Sequence, residues 1–259
     1  MELNGVAATV EQVKALALTN YGHFTSMLVE DGGVRGLSLH LRRLACDSRE
    51  LFGADLDTER VRQHVRHALA GVARPVTARV TVYDPALDLG TIGHDAEPKV
   101  LVTIRGAARA EPAPWRLRIA SYRRELPAVK HTGLFAAMHY RRQAQREGFD
   151  DVLFVNPDGT ITEIATSNIG FIRAGHVVWP RAEWLAGITM TLINQSFGES
   201  TSTEPLTLAD LPSMDAAFAT NAATGIRALA SVEGVSWPTE HRVLRQLRAA
   251  YEAQPAEAV

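Results

Sequence analysis

The chain carries at its centre the stretch Ala128-Val129-Lys130-His131-Thr132-Gly133-Leu134-Phe135. Of 27 basic residues, only Lys14, Lys99 and Lys130 are lysines, and Lys130 alone stands among apolar neighbours. A primary amine in partly apolar surroundings has a lowered pKa and can attack an aldehyde, which is how lysines form imines. The alternative for any single lysine is a side chain that extends along a helix edge into solvent.

Composition limits the function classes. The 259 residues are 46% hydrophobic and 22% charged, with a net charge of −2, which is typical of an ordinary globular protein. This charge disfavours nucleic acid as the main partner. No apolar run approaches the roughly 18 residues that span a bilayer, and no signal peptide is recognisable at the N-terminus. We therefore expect a cytoplasmic protein without a membrane partner.

Cysteine and histidine usage predicts neither a disulfide nor a metal site. Cys46 is the single cysteine, so an internal disulfide is excluded, and no Cys or His cluster has the spacing of a metal site. Cys46 follows Leu44 and Ala45 in a helical pattern, which predicts a buried small residue rather than a nucleophile.

Hydrophobic periodicity predicts an α+β protein in two parts. The first part should contain a β-hairpin across residues 24–37, a helix that Ser38 caps, a second helix at 57–70, and strands at 78–83 and 100–104. Pro112 and Pro114 interrupt the pattern, so residues 106–115 are the predicted linker. The second part is strand-rich. Its predicted strands are 116–122, 151–155, 160–163, 168–172, 177–179 and 216–220, its predicted helices are 135–147, 188–197 and 239–253, and residues 199–203 are predicted as a loop.

Three further features complement Lys130. Glu163 ends a short strand and offers a carboxylate. The segment Leu185-Ala186-Gly187-Ile188-Thr189 places a glycine at a helix N-terminus, the arrangement that receives a phosphate through backbone N–H groups and the helix dipole. Residues 220–225 form a second loop of small residues. Together these groups match the needs of pyridoxal 5′-phosphate, which requires an amine, a carboxylate for its ring nitrogen and a phosphate cradle.

The chain resembles a known family, the class IV aminotransferases. These are fold-type IV pyridoxal-phosphate enzymes that include branched-chain and D-amino acid aminotransferases and aminodeoxychorismate lyase. The resemblance covers nearly the whole chain, and Lys130 and Glu163 are separated by about the family's spacing. The segments that carry it are Leu3-Asn4-Gly5, Phe24-Thr25, His40-Leu41-Arg42-Arg43-Leu44, Val129-Lys130, Gly148-Phe149-Asp150-Asp151, Gly159-Thr160-Ile161-Thr162-Glu163, Ser167-Asn168, Gly187-Ile188-Thr189 and Phe218-Ala219-Thr220.

The resemblance implies a role for each matching residue. Lys130 would bind the cofactor as an internal aldimine and carry the proton, and Glu163 would face the pyridine nitrogen. Arg43 would bind the phosphate through its guanidinium. The other implied cofactor-binding residues are Thr166, Ser167, Asn168, Leu185, Gly187, Ile188, Thr189, Asn221 and Ala222, and the implied substrate contacts are Phe24, Thr25 and Tyr83.

The resemblance also implies a two-domain fold and a homodimer. A small α+β N-terminal domain, residues 1–110, would contribute the phosphate-binding arginine and the substrate loops. A larger, strand-rich pseudo-barrel domain, residues 116–259, would carry Lys130.

Some positions depart from the family pattern and leave the branch of the family open. Met190 follows Gly-Ile-Thr where an arginine is usual, and Ala222 stands where aminotransferases commonly have threonine. Residues 220–227 resemble the lyase branch, whereas residues 82–85 lack the basic character that a chorismate-derived dicarboxylate would need. We therefore expect an aminotransferase acting between an amino acid or amine and a keto acid. A lyase that releases pyruvate is the first alternative, and a catalytically silent cofactor-binding protein is the second.

Overall fold

A computed structural model describes residues 1–107 and 112–259. In the first half, the strands are β1 Glu2–Leu3, β2 Val6–Ala7, β3 His23–Val29, β4 Val34–Arg35, β5 Val76–Tyr83 and β6 Lys99–Gly106, and the helices are α1 Val10–Thr19, α2 Leu37–Phe52 and α3 Thr58–Ala68.

In the second half, the strands are β7 Trp115–Ser121, β8 Asp151–Val155, β9 Ile161–Ile164, β10 Asn168–Arg173, β11 His176–Pro180, β12 Thr201–Glu204, β13 Ala216–Asn221, β14 Gly225–Val232, β15 Val235–Ser236 and β16 Ala256–Glu257. The helices are α4 Phe135–Arg146, α5 Ile188–Phe197 and α6 Arg242–Glu252, with 3₁₀ turns at Gly198–Ser200 and Leu208–Ser213.

The first half builds an antiparallel sheet in the order β2-β1-β6-β5-β3. Alternate residues of β3, β5 and β6, such as Met27, Val80 and Val102, join a buried cluster with the apolar stripes of α2 and α3. The period of two in a strand turns the intervening residues to the opposite face, which carries polar and basic side chains.

The second half builds a larger sheet in the order β12-β11-β10-β13-β14-β7-β8-β9, with β15 paired to β14. It curls into a half-barrel. One apolar cluster includes Leu117, Ile161 and Phe171, and a second packs α5 and α6 against residues such as Trp179 and Phe218. The mixed helix and strand content confirms the predicted α+β fold class.

The chain forms two compact units, and their membership differs from the predicted domains at two places, residues 129–133 and residues 255–259. The first unit contains residues 1–107 together with 129–133 and 255–259, and the second contains residues 112–128 and 134–254. Lys130 was predicted in the second domain but packs in the first. The reason is backbone pairing, because Phe24 N donates to Lys130 O at 2.9 Å and Thr132 N donates to Gly22 O at 2.8 Å. Residues 108–111 of the predicted linker lie outside the described residues.

Two local predictions in the first unit were wrong. The β3–β4 hairpin is reduced to a bridge between Glu30 and Gly33, because β3 pairs along its whole length with β5 while β4 pairs with β16. Ser38 does not cap α2: the N-cap is Gly36, and the Ser38 amide instead donates to Glu257 Oε2 at 3.0 Å.

Other errors have simple physical causes. Cys46 is exposed rather than buried, since the buried stripe of α2 passes through Leu44 and Ser48, and position 46 lies on the other side of the helix. Thr201–Glu204 is a strand rather than a loop, because the edge position beside β11 tolerates its polar residues. Among the described residues, no helix is long and apolar enough to cross a membrane.

Candidate active site

In the first unit, Lys130 is held at its backbone and at its amine. Phe24 N donates to the Lys130 carbonyl, and the Lys130 amide donates to Asp47 Oδ2 at 3.1 Å. The Lys130 Nζ lies 4.9 Å from the centroid of the Phe24 ring, a cation–π distance. Lys130 is half-buried. Its amine therefore has both the fixed position and the apolar neighbour that an imine-forming lysine requires.

Helix α2 presents a polar stripe in this region. His40, Arg43 and Asp47 are spaced at i, i+3 and i+7, so they share one face. His40 and Asp47 are buried although both are polar, and Arg43 is half-buried. Of the three, only Arg43 was predicted as a site residue. His40 and Asp47 could have been found because they are polar residues at buried positions of a helix face that is otherwise lined by leucines.

His40 is a neutral group at physiological pH. Its Nδ1 lies 2.6 Å from the Thr25 hydroxyl, which joins α2 to β3. Burial, followed by the positive charges of Arg43 and Lys130, lowers the pKa of His40 to about 3. Thr25, predicted as a substrate contact, thus has its hydroxyl engaged by this imidazole.

A second cation lies on the Phe24 ring. The Arg79 Cζ is 3.6 Å from the ring centroid, and Arg79 Nε donates to the Thr81 hydroxyl at 3.2 Å. Burial, then the charge of Arg105, lowers the pKa of Arg79, but a guanidinium remains charged at neutral pH. Arg79 and Lys130 therefore share one aromatic ring, and Arg79 was not predicted because the register of β3 and β5 brings it there.

Tyr83 has a different neighbourhood. Its ring packs with Leu3 and Leu101, and its hydroxyl donates to the Gln12 carbonyl at 3.0 Å. Burial raises the pKa of this phenol. The hydroxyl is thus committed to a structural bond.

In the second unit, Glu163 is a buried carboxylate with a basic partner. Its Oε1 lies 3.7 Å from Arg124 Nη1, and both side chains are largely buried, at 9% and 13% exposure. A guanidinium at this distance favours the ionised carboxylate and offsets part of its desolvation cost. Glu163 can therefore present a negative charge in a partly dry environment.

The loop after Glu163 is fixed by side-chain bonds. Thr166 Oγ1 donates to Asp151 Oδ2 at 3.0 Å, and Asn221 Nδ2 donates to Ser167 Oγ at 2.9 Å. Asn221 Oδ1 accepts from the amides of residues 223 and 224, so the orientation of this side chain is set. Because Ser167 Oγ accepts this bond, the hydroxyl proton of Ser167 can be donated elsewhere.

The N-terminus of α5 has the features of an anion site. Gly187 is the N-cap and provides no side-chain cap, which leaves first-turn amides such as those of Ile188 and Thr189 to find other acceptors. A Cβ on Gly187 would lie 2.0 Å from Asn168 Oδ1, and Asn168 Nδ2 donates to the Leu185 carbonyl at 2.8 Å. Only glycine fits this position.

Two buried hydroxyls support the same interpretation. The hydroxyls of Thr189 and Thr220 are buried and have no hydrogen-bond partner among the residues that the structure describes. Thr220 pairs with Asn168 across β13 and β10. Because buried polar groups are normally satisfied, these orphan donors fit a phosphate oxygen at this helix end. Ala222, by contrast, lies in the turn after β13 and offers no side-chain donor.

No metal centre emerges in the described part of the chain. No group of three or more His, Cys, Asp or Glu side chains there is arranged to hold a metal ion.

Comparison with known proteins identifies the family. The family model for amino-transferase class IV matches residues 22–232. A probable branched-chain-amino-acid aminotransferase from Rickettsia bellii (strain RML369-C) is 25% identical over 250 residues, which cover 89% of this chain and 86% of that protein.

Two solved structures have the same fold. A hypothetical aminotransferase from Mycobacterium tuberculosis in its PLP-bound form superposes with a TM-score of 0.82 at 19% identity, covering 96% of this chain and 93% of its own. A putative 4-amino-4-deoxychorismate lyase from Legionella pneumophila gives a TM-score of 0.82 at 20% identity, covering 96% and 95%. The family match confirms the resemblance and the enzyme class predicted from the sequence, a pyridoxal-phosphate-dependent transferase. The chain belongs to the class IV aminotransferase family.

Proposed function

We propose that this protein is a pyridoxal-phosphate-dependent aminotransferase that moves an amino group between an amino acid or amine and a keto acid. The observation that carries the proposal is the placement of Lys130, whose backbone is bonded at both its amide and its carbonyl and whose amine lies on the Phe24 ring. An amine so restrained is suited to attack an aldehyde at a defined point.

When bound, the cofactor supplies an aldehyde that joins a primary amine and an electron-poor ring that accepts electrons from the substrate carbon. Lys130 would hold the cofactor through its amine. With substrate bound, the same amine would act as the base that takes up the proton of the substrate α-carbon and gives it back. One lysine would thus serve both to attach the cofactor and to move the proton.

Other residues hold the cofactor. Glu163, whose Oε1 lies 3.7 Å from Arg124 Nη1, would face the ring nitrogen and hold a proton there. Arg43 in the first unit would serve as a phosphate ligand, as predicted for the small domain. In the second unit, Gly187, Ile188 and Thr189 would offer backbone donors to a phosphate at the start of α5. The remaining assignments are also proposals: Thr166, Ser167, Asn168, Leu185, Asn221 and Ala222 for the cofactor, and Phe24, Thr25 and Tyr83 for the substrate.

Arg79 is the best candidate for a substrate carboxylate. It is charged, partly desolvated and in contact with the same ring as the Lys130 amine. A guanidinium binds a carboxylate with two parallel hydrogen bonds, which would orient an amino acid or keto acid. The predicted lack of basic groups in residues 82–85 is therefore offset by a basic residue earlier on the same strand.

Lyase chemistry is the second candidate. It is favoured by the turn from Asn221 to Gly225, which resembles the lyase branch, and Arg79 removes the objection that the substrate region lacks positive charge. A lyase would use the same Lys130 base but would release pyruvate from aminodeoxychorismate. A silent protein would bind the cofactor and turn over neither substrate.

Single-turnover experiments separate these possibilities. The holoenzyme is mixed with a panel of D- and L-amino acids and with aminodeoxychorismate, and bound pyridoxal and pyridoxamine phosphates are quantified with released pyruvate. An aminotransferase converts its cofactor to pyridoxamine phosphate with at least one amino acid. Pyruvate release without this conversion would assign lyase activity, and neither product would leave the silent protein.

A homodimer and a cytoplasmic location remain predictions. The homodimer rests on the resemblance to the family, and sedimentation of the purified protein would test it. The expected small-molecule partners are an amino acid or amine and a keto acid.

A further inference from the structure

The segment that carries Lys130, residues 129–133, runs beside the start of β3. The Lys130 carbonyl accepts from Phe24 N. The amide and the hydroxyl of Thr132 both lie within hydrogen-bond distance of the Gly22 carbonyl, at 2.8 Å and 3.1 Å. The Thr132 hydroxyl also lies 2.7 Å from the Asn20 carbonyl. These bonds fix one side of the segment and leave the Lys130 amide facing α2.

Asp47 receives that amide. Its Oδ2 accepts from Lys130 N at 3.1 Å, and the residue is only 4% exposed. A buried carboxylate is costly unless hydrogen bonds stabilise its charge, and a charge-assisted bond is stronger than a neutral one. A buried aspartate on this face of α2 therefore needs hydrogen-bond donors, and the Lys130 amide is one of them.

We propose that Asp47 is a positioning residue for Lys130: its carboxylate anchors the backbone amide while Phe24 anchors the carbonyl, and the two bonds together set the direction in which the lysine side chain leaves the chain. The inference rests on the proposed function, because it gives Lys130 the attachment of pyridoxal phosphate. Asp47 itself is assigned no contact with cofactor or substrate.

The consequence is selective for steps that use the lysine. Pyridoxal phosphate bound covalently requires the Lys130 amine in the correct place, whereas pyridoxamine phosphate has no aldehyde and binds without it. Loss of the Asp47 bond should therefore weaken covalent attachment and leave pyridoxamine phosphate binding nearly unchanged. A defect in the phosphate site or in folding would instead weaken both.

The experiment compares Asp47→Ala, which removes the acceptor, with Asp47→Asn, which keeps a neutral acceptor. Glu50→Gln, at an exposed position of the same helix, is the matched control for loss of a charge. Each protein is titrated with pyridoxal phosphate, reduced with borohydride, digested and analysed for label on Lys130. Pyridoxamine phosphate affinity is measured by equilibrium dialysis, and thermal unfolding confirms that each variant is folded.

For Asp47→Ala, the concentration of pyridoxal phosphate that gives half-maximal label should rise about tenfold to a hundredfold, the range for a lost bond to a charged group. Asp47→Asn should lie between Asp47→Ala and the wild type, and Glu50→Gln should match the wild type. Pyridoxamine phosphate affinity should stay within about twofold in all four proteins, as for a change away from the ligand.

Three results would overturn either the role of Asp47 or the proposed function. Wild-type labelling in Asp47→Ala would overturn the inference, and so would a parallel loss of pyridoxamine phosphate affinity, which would make Asp47 a general structural residue. If Asp47→Ala does not fold, the comparison of Asp47→Asn with Glu50→Gln decides in the same way. A wild-type protein without label on Lys130 would instead refute the proposed function.

Discussion

Substitution of Gly187 by alanine tests the proposed phosphate site at the start of α5. The backbone of Gly187 has φ −66°, so alanine adds no backbone strain. Its new methyl group would nevertheless lie 2.0 Å from Asn168 Oδ1, far inside van der Waals contact. Either Asn168 or the first turn of α5 must therefore move.

The structure sets the size of the effect. Overpacking of this kind costs about 1–3 kcal/mol, and displacement of Asn168 would also break its bond to the Leu185 carbonyl, worth roughly 1 kcal/mol. We expect the free energy of unfolding to fall by about 2–4 kcal/mol in total. Because the amides of the first turn shift with the helix, affinity for pyridoxal phosphate should fall at least about tenfold, equivalent to roughly 1.4 kcal/mol.

The assay uses urea unfolding for stability and fluorescence titration for affinity, each with pyridoxal phosphate and with pyridoxal, which lacks the phosphate. Affinity for pyridoxal should change much less than affinity for pyridoxal phosphate. Gly93→Ala is the control, since a Cβ at Gly93 meets nothing within 4 Å. Equal losses for both ligands, or wild-type affinity for pyridoxal phosphate in Gly187→Ala, would refute a phosphate site at this helix end.

Two further predictions concern the first unit. Glu257 accepts from Ser38 N at 3.0 Å at the start of α2 and acts as its cap, so Glu257→Ala should lower the free energy of unfolding by about 1 kcal/mol in urea titrations. An unchanged midpoint would show that this bond does not stabilise the helix. The pKa of His40 is about 3 in the folded protein, against the ordinary histidine value of 6.5, so the unfolded chain takes up a proton that the folded chain refuses. Stability contributed by neutral His40 is therefore present above pH 6.5 and is lost as the pH falls towards 3, by at most about 1.4 kcal/mol per pH unit. His40→Asn should flatten this part of the curve of unfolding free energy against pH, and an unaltered slope would contradict the burial argument.

Much of the fold follows from local patterns in the sequence. The helical pattern around Leu44 and the helix start at Gly187 each depend on neighbours in the chain, and the structure confirms them. The family resemblance, and not hydrophobic periodicity, assigned cofactor roles to both Lys130 and Glu163. Elements that depend on interactions between nearby residues of the chain were therefore predictable.

The contacts that were not predicted join residues that lie far apart in the chain. Lys130 packs in the first unit because its backbone forms hydrogen bonds with β3 and with Asp47. Arg79 contacts Phe24 only because of the register between β3 and β5. Glu257 lies far along the chain from Ser38, whose amide it binds. These contacts are set by tertiary packing, so hydrophobic periodicity carries no signal for them.

Mapping of the modified lysine tests whether Lys130 attaches the cofactor. The chain has only Lys14, Lys99 and Lys130, so Lys14→Ala and Lys99→Ala are matched controls for Lys130→Ala. Protein saturated with pyridoxal phosphate is reduced with borohydride, digested and examined by mass spectrometry. We expect one labelled peptide, containing Lys130, in the wild type and in both controls, and no label in Lys130→Ala. Label on Lys14 or Lys99 instead, or turnover retained by Lys130→Ala, would contradict it.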